Sequence, residues 1–202
     1  MSRSCAPRRA VARRRGRGVT QVCGQGPSYT PAVEYRPLTA DLRDAAAAFA
    51  ARIPERDKAF LDRFLLYDVA VAGWTRSTPA RRIVALDGAD DVGLVTVEPQ
   101  RGWMDHVGEF RLVVQPSVRG QGVGQALIEQ GVELASSLGL RKLSIEIMAS
   151  NTSALGLFER HGFQREAVLV RHVRDGEGDL QDLVVMTFEP AAGSAASAAT
   201  GG

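Results

Sequence analysis

The sequence contains little of what marks membrane proteins and disulfide scaffolds. No run of apolar residues approaches the ~20 that a membrane-spanning helix needs. Cysteine occurs twice, at Cys5 and Cys23, among 202 residues, and this excludes a disulfide-rich fold. Lysine also occurs only twice, at Lys58 and Lys142. What is present, 45% hydrophobic and 24% charged residues, is the composition of an ordinary globular protein.

Acidic residues are absent from the first 30 positions, which contain seven arginines. The formal net charge is +2, but the 25 Lys and Arg less these seven leave 18 against 23 Asp and Glu, a charge of −5. A mildly acidic body argues against nucleic acid as its partner, although clustered arginines also suit a nucleic-acid-binding arm. No apolar signal-peptide segment follows the arginines, so we predict a cytoplasmic location.

Local composition divides the chain into three parts. Residues 1–30 lack apolar periodicity and are expected to be a disordered Arg-rich extension. Residues 191–202 contain only Ala, Ser, Gly and Thr, which is typical of a flexible tail. We therefore expect one folded domain over residues 31–190.

Apolar periodicity within this domain predicts alternating helices and strands. We expect a mixed sheet with helices on both faces, because the predicted order is α α β β β α β α β β. The strand at 108–114, the next helix and the strand at 143–148 form a βαβ unit, so these two strands should be parallel. Three other helices are predicted, at 37–53 with Thr39 as its cap, at 54–66 and at 151–161. Two hairpins are also predicted. One joins strands 82–86 and 92–97 around a turn at 87–91, and the other joins strands 167–173 and 183–188.

A glycine-rich loop is the most informative segment. Gly120, Gly122 and Gly124 follow a strand and open a helix. Glycine allows close approach of a ligand, and the first N–H groups of a helix have no intrahelical partners. Together with the helix dipole they form an anion site, most naturally for a diphosphate, to which Arg119 could add charge. The spacing matches neither a dinucleotide-binding fold nor a P-loop, and a turn without a ligand is the alternative.

Two blocks of residues resemble the GNAT superfamily of acetyl-CoA-dependent N-acetyltransferases. The first, Val114-x-Pro116-x-x-Arg119-x-x-Gly122-x-Gly124, agrees at every position with the signature that the family has between a strand and a helix. The second covers the strand end and asparagine turn at 146–151 and the helix whose sequence Leu157-Phe158-Glu159-Arg160-His161-Gly162-Phe163 looks like the family's LYEKxGF segment. The order of elements over residues 35–189 is similar as well.

The resemblance implies an acyltransferase fold and a co-substrate. It implies a mostly antiparallel sheet in which one parallel strand pair splays, so that acetyl-CoA enters between the two strands. The acetyl group would pass to a primary amine of a small molecule or a protein by direct attack in a ternary complex, without a metal. The implied acetyl-CoA-binding residues are Leu112, Val113, Val114, Arg119, Gly120, Gln121, Gly122, Val123, Gly124, Gln125, Asn151 and Phe158.

Catalysis needs a base, because the attacking amine must lose a proton. Some family members use a glutamate at the position of Glu146, and Glu109 on the facing strand is the alternative. His106, His161 and His172 are expected to be loop, helix-end and strand-surface residues. Phe158 stands where the family usually has a tyrosine that protonates the leaving thiolate, so a module that binds acyl-CoA without turnover is a second hypothesis.

The acceptor is not defined by the sequence. In this family the acceptor pocket is built from the first two helices and the last hairpin, here residues 51–74 and 171–183. Both segments contain acidic and basic residues, and this mixture does not identify one class of acceptor. Family members often form homodimers, and nothing in the sequence decides whether this chain does.

Overall fold

The computed structural model describes residues 33–54 and 81–190. The predicted arm, the carboxyl-terminal tail and most of the helix predicted at 54–66 lie outside these residues. The predicted division into arm, domain and tail therefore stays a prediction.

Seven strands of the described residues form one sheet. The strands are β1, Glu34–Pro37; β2, Arg82–Asp87; β3, Asp90–Pro99; β4, Val107–Val114; β5, Lys142–Met148; β6, Gln164–Arg174; and β7, Leu180–Phe188. Their order in the sheet is β1-β2-β3-β4-β5-β7-β6. Neighbouring strands run antiparallel except β4 and β5, which run parallel as the βαβ pattern predicts. The predicted mixed, mostly antiparallel sheet is confirmed.

Helices cover both faces of the sheet, as predicted. On one face α2 (Val123–Ser137) and α3 (Thr152–Arg160) pack into the main core, which contains Phe110. On the other face α1 (Arg43–Arg52) packs through Ala46 and Phe49 against β2, β3 and β4 in a second, smaller core. In β4, Phe110 is buried in the main core and Val113 in the second core, so this strand contributes to both apolar layers.

The amino end of the domain differs from the prediction of one helix over residues 37–53. Glu34–Pro37 is a strand paired with β2, a 3-10 turn follows at Ala40–Leu42, and α1 begins only at Arg43. The side chain of Thr39 bonds to Asp41 and does not cap a helix. Proline at the end of β1 is tolerated because β1 is an edge strand, where a missing N–H breaks no ladder.

The β2–β3 turn is also tighter than predicted. Only Gly88 and Ala89 form the turn, and Asp90 and Asp91 belong to β3. Gly88 has a φ of 64°, which a two-residue hairpin turn requires and which glycine adopts without strain. Asp91 is consequently a buried strand residue rather than part of an exposed turn.

Close packing of α2 on the sheet depends on a small residue at its centre. A Cβ added to Gly131 would lie 2.5 Å from Cε2 of Phe110. Glycine therefore lets α2 approach β4 closely.

No helix of the described ranges is both long and apolar enough to cross a bilayer. The cytoplasmic location stays a prediction.

Candidate active site

A cleft lies where β4 and β5 separate. The two strands are in parallel register over three pairs only, from Val107 with Lys142 to Glu109 with Ser144. Beyond these pairs the strands diverge toward their carboxyl ends and leave a cleft of about 870 Å³ lined by residues of both strands. The predicted divergence is therefore present, and it exposes strand backbone to a ligand within the sheet.

The glycine-rich loop forms one end of this cleft. A 3-10 turn at Pro116–Val118 follows β4, and α2 then begins with Gly122 as its N-cap. Gly120 and Gly122 have φ values of 77° and 87°, in the left-handed region that favours glycine. The loop conformation explains two of the three predicted glycines, and it directs the first N–H groups of α2 outward.

Side chains do not block this helix entrance. A Cβ built on Gly120 or Gly122 has no heavy atom within 4 Å. Arg119 is exposed at the rim, and its Nε donates a hydrogen bond to the carbonyl of Val114 at 3.1 Å. Gln121 donates to the carbonyl of Ser117 at 3.2 Å and thereby braces the loop. Positive charge and unpaired helix N–H groups thus meet at one open position.

Most residues predicted to bind acetyl-CoA line the cleft. Gln121 is exposed beside it, and the side chain of Val123 is buried in the main core, so Val123 can contribute only its backbone. The predicted residues that line the cleft are Leu112, Val113, Val114, Arg119, Gly120, Gly122, Gly124, Gln125, Asn151 and Phe158.

Two of these residues also have structural roles. Asn151 is the N-cap of α3, where its Oδ1 accepts a hydrogen bond from the N–H of Ala154 at 3.2 Å. Phe158 is 2% exposed and packs edge-to-face against Phe110 and Phe163 at centroid distances of 5.8 and 5.0 Å. The wall beneath the diverging strands is therefore aromatic and apolar at the position of Phe158.

The two candidate bases share one face of the sheet but differ in their surroundings. Glu146 is exposed in the cleft and has no hydrogen bond or ion pair within the described residues. Glu109 is paired with Arg111, whose Nε donates to Glu109 Oε1 at 2.9 Å and whose Nη2 donates to the same oxygen. The carboxylate of Glu109 is therefore occupied by a guanidinium, whereas that of Glu146 is open to the cleft.

Four further cleft residues on α3 were not predicted. Ser153, Ala154, Leu157 and Arg160 all line the cleft. Leu157 is three or four residues from each of the other three, so they occupy one helical face. This spacing was the signal in the sequence that could have identified them.

The three histidines lie outside the cleft between β4 and β5. His106 precedes β4, at the end of the strand opposite to the cleft, and its Nδ1 is 3.8 Å from the Asp105 carboxylate. His161 Nδ1 is 2.8 Å from the carbonyl of Leu157 at the end of α3. His172 is an exposed residue of β6. None of the three lines the cleft, which agrees with the structural roles predicted for them.

Comparison with known proteins identifies the family. Residues 44–163, more than half of the chain, match the model of the acetyltransferase (GNAT) family. The chain belongs to the GNAT acetyltransferase family. This membership agrees with the two sequence blocks and places the chain among acyltransferases.

Curated relatives of this GNAT chain are acetyltransferases with different names. The [ribosomal protein bS18]-alanine N-acetyltransferase of Escherichia coli (strain K12) is 31% identical over 85 residues, 42% of this chain and 57% of that protein. The mycothiol acetyltransferase of Geodermatophilus obscurus is 41% identical over 63 residues, 31% of this chain and 20% of that protein. The chain spans about half the length of the first curated relatives it matches.

Solved structures share the GNAT fold. A GNAT superfamily phosphinothricin acetyltransferase from Sinorhizobium meliloti, solved in complex with AcCoA, has a TM-score of 0.66 and 19% identity. The match covers 82% of this chain and 92% of that one. At this identity the likeness shows the fold alone.

Proposed function

We propose that this GNAT protein transfers an acetyl group from acetyl-CoA to a primary amine of a small molecule or a protein, by direct attack within a ternary complex. The observation that carries the proposal is the cleft between β4 and β5, which joins an open helix N-terminus to the Glu146 carboxylate, a group that forms no ion pair with any described residue. An anion site and a base in one cleft are what this reaction requires.

The loop side of the cleft fits the co-substrate. Acetyl-CoA supplies the acetyl group activated as a thioester. The N–H groups that begin α2 and the guanidinium of Arg119 suit its diphosphate. The free edge of β4 from Arg111 to Val114 can hydrogen-bond to an extended amide-containing arm, as a strand does to a neighbour. A backbone N–H on that edge can polarise the thioester carbonyl.

Gly122 provides a direct test of the loop. The change Gly122→Ala places a side chain in a left-handed backbone position and in the space where the diphosphate approaches. We expect the Kd for acetyl-CoA, measured by calorimetry, to rise about tenfold. Gly139→Ala is the matched control, because Gly139 has a φ of 73°, lies in open space and follows the other end of α2. Equal losses of affinity in both variants would contradict a ligand role for this loop.

The acceptor side of the cleft carries the base. Glu146 lies on β5 opposite Val185 of β7 and projects from the face away from the main core. We propose that its carboxylate takes the proton from the attacking amine, directly or through water. Because Glu109 is held by Arg111, we propose that Glu109 has an electrostatic role rather than that of the base.

The leaving thiolate has no acidic side chain at Phe158. A thiol with a pKa of about 8.5 can leave as the unprotonated thiolate, so a side chain that donates a proton to it is not essential. We expect Phe158→Tyr to raise kcat or to shift its pH profile, since the added phenol could donate a proton. Both are measured by thiol release across pH. An unchanged kcat and profile in a folded variant, judged by circular dichroism, would argue against a missing acid.

An acceptor screen tests the whole proposal. Purified protein is incubated with acetyl-CoA and a panel of amines that includes small-molecule amines and peptides with free α-amino groups. Amine-dependent release of free thiol, with a matching mass increase of the acceptor, is expected. Protein that does not bind acetyl-CoA would refute the proposal. Tight binding with no transfer across the panel would favour the alternative of a non-catalytic acyl-CoA-binding module, for which Phe158 is the motivating observation.

A further inference from the structure

A buried carboxyl group lies behind the glycine-rich loop. Asp91 of β3 is 1% exposed. Its Oδ1 accepts a hydrogen bond from the N–H of Gly93 at 3.0 Å, and its Oδ2 is buried without a hydrogen-bond partner among residues 33–54 and 81–190. A buried polar atom of this kind costs free energy, so a role for it is expected.

The bond to Gly93 closes a bulge in β3. The register between β2 and β3 shifts here, because Ala85 pairs with Gly93 while Leu86 pairs with Asp91, and this leaves Val92 as the extra residue. A bulge bends its strand and redirects the residues beside it. The side chain of Asp91 spans this bulge and fixes its conformation.

The bulge contacts the strand end from which the loop departs. The carbonyl of Val92 accepts a hydrogen bond from the N–H of Gln115 at 2.9 Å, and Gly93 is paired with Val114. Gln115 is the residue that precedes the 3-10 turn of the loop. The position at which the loop leaves the sheet is therefore set by backbone that Asp91 holds.

The same bulge supports the first turns of α2. A Cβ added to Gly93 would lie 2.8 Å from Leu127 Cδ1 and 3.4 Å from Val123 Cγ1. Val123 is the first residue of α2, next to the N-cap Gly122. The loop is thus supported by the Asp91 bulge both where it begins and where it ends.

We propose that Asp91 is a positioning residue for acetyl-CoA, which acts through the β3 bulge to hold the glycine-rich loop and the start of α2 in their binding conformation. This inference rests on the proposed function, because it assigns the loop to acetyl-CoA. Asp91 does not line the cleft, so it touches no substrate.

The charge state of Asp91 gives the proposal a pH dependence. Burial raises the pKa of this carboxyl group to about 8, opposed by the Gly93 hydrogen bond and by the charge of Arg52. Arg52, at the end of α1, donates to the Asp91 carbonyl at 3.0 Å and lies 3.6 Å from the Asp90 carboxylate. Near neutral pH the group is protonated, and above pH 8 a buried negative charge develops within the bulge. We expect that charge to weaken acetyl-CoA binding.

Calorimetry with acetyl-CoA at pH 7 and pH 9.5 tests this, using the full chain and the variants Asp91→Asn, Asp91→Ala and Asp90→Asn. Asn keeps an oxygen for the Gly93 N–H and cannot ionise. We expect Asp91→Asn to bind like the wild type at pH 7 and Asp91→Ala to bind about fivefold more weakly, as one lost hydrogen bond implies. The wild-type Kd should rise severalfold by pH 9.5, while that of Asp91→Asn should not.

Asp90→Asn is the matched control, because it removes the neighbouring, exposed partner of Arg52 and leaves the bulge intact. We expect it to keep the wild-type pH dependence. Equal pH dependence of the wild type and Asp91→Asn overturns the proposal even if Asp91→Ala fails to fold. If the wild type does not bind acetyl-CoA at pH 7, the proposed function itself fails, and that result is distinct from a failure of the role of Asp91.

Discussion

Replacing Glu146 by glutamine is expected to lower kcat by on the order of 10²–10⁴-fold, the range typical for loss of a general base. Glutamine preserves the size of the side chain but cannot accept the proton of the amine. Glu146 is exposed and forms no ion pair with a described residue, so the change should leave folding intact. Thiol release with an acceptor from the screen gives kcat, and calorimetry should show an unchanged Kd for acetyl-CoA.

Glu109→Gln is the matched variant for this prediction. It makes the same chemical change on the facing strand, on a side chain that is 38% exposed and bound to Arg111. We expect a decrease of kcat of less than about tenfold, since we propose an electrostatic role for Glu109 and not that of the base. If Glu109→Gln lost more activity than Glu146→Gln, the two assignments would have to be exchanged.

Replacing Asp91 by asparagine should stabilise the protein at neutral and alkaline pH. Burial raises the pKa of Asp91 in the folded protein from its ordinary value of 3.8 to about 8. Between pH 3.8 and about 8, Asp91 is therefore protonated in the folded chain and ionised in the unfolded chain. The contribution of this group to stability is fully present below pH 3.8 and is lost as the pH rises through about 8. Asparagine does not ionise, so the variant does not lose stability in this way as the pH rises.

We expect Asp91→Asn to have a free energy of unfolding larger than that of the wild type at pH 8.5 by up to about 6 kcal/mol, since the pKa rises from 3.8 to about 8 and each pKa unit corresponds to about 1.4 kcal/mol. The difference should shrink toward zero near pH 4. Urea unfolding followed by circular dichroism at both pH values measures it. A difference that does not change with pH would show that Asp91 ionises normally in the folded protein.

Local signals in the sequence predicted the central part of the fold. The strands that became β2 to β7 are apolar runs bounded by turn residues, and α2 has a regular apolar stripe. The parallel pair followed from a strand, a helix and a strand in succession. These elements are specified by their own residues, and their predicted positions agree with the structure within a few residues.

The elements that were missed depend on distant partners. Glu34–Pro37 has four residues and no apolar alternation, and it becomes a strand because the edge of β2 is available to it. Asp91 follows other acidic residues and has the composition of a turn, yet the register of β3 against β2 buries it. Neither pairing is encoded within a short window of sequence.

The two halves of the candidate site were predictable to different extents. The acetyl-CoA side follows from two sequence blocks, the glycine-rich motif and the segment that contains Asn151 and Phe158. The structure places ten of the twelve predicted residues along the cleft. The choice between Glu146 and Glu109 needed the ion pair of Glu109 with Arg111. That pair had a signal in the sequence, because residues two apart on a strand share a face. The predicted acceptor segment at 51–74 lies mostly outside the described residues.

The three-pair junction of β4 and β5 has a mechanical consequence. It divides the sheet into a half formed by β1 to β4 and a half formed by β5, β7 and β6, which are hydrogen-bonded to each other at one end only. A molecule that binds in the cleft along the free edge of β4 would strengthen the connection between the halves. Backbone amides that exchange with solvent when these halves separate would then exchange more slowly in the presence of that molecule.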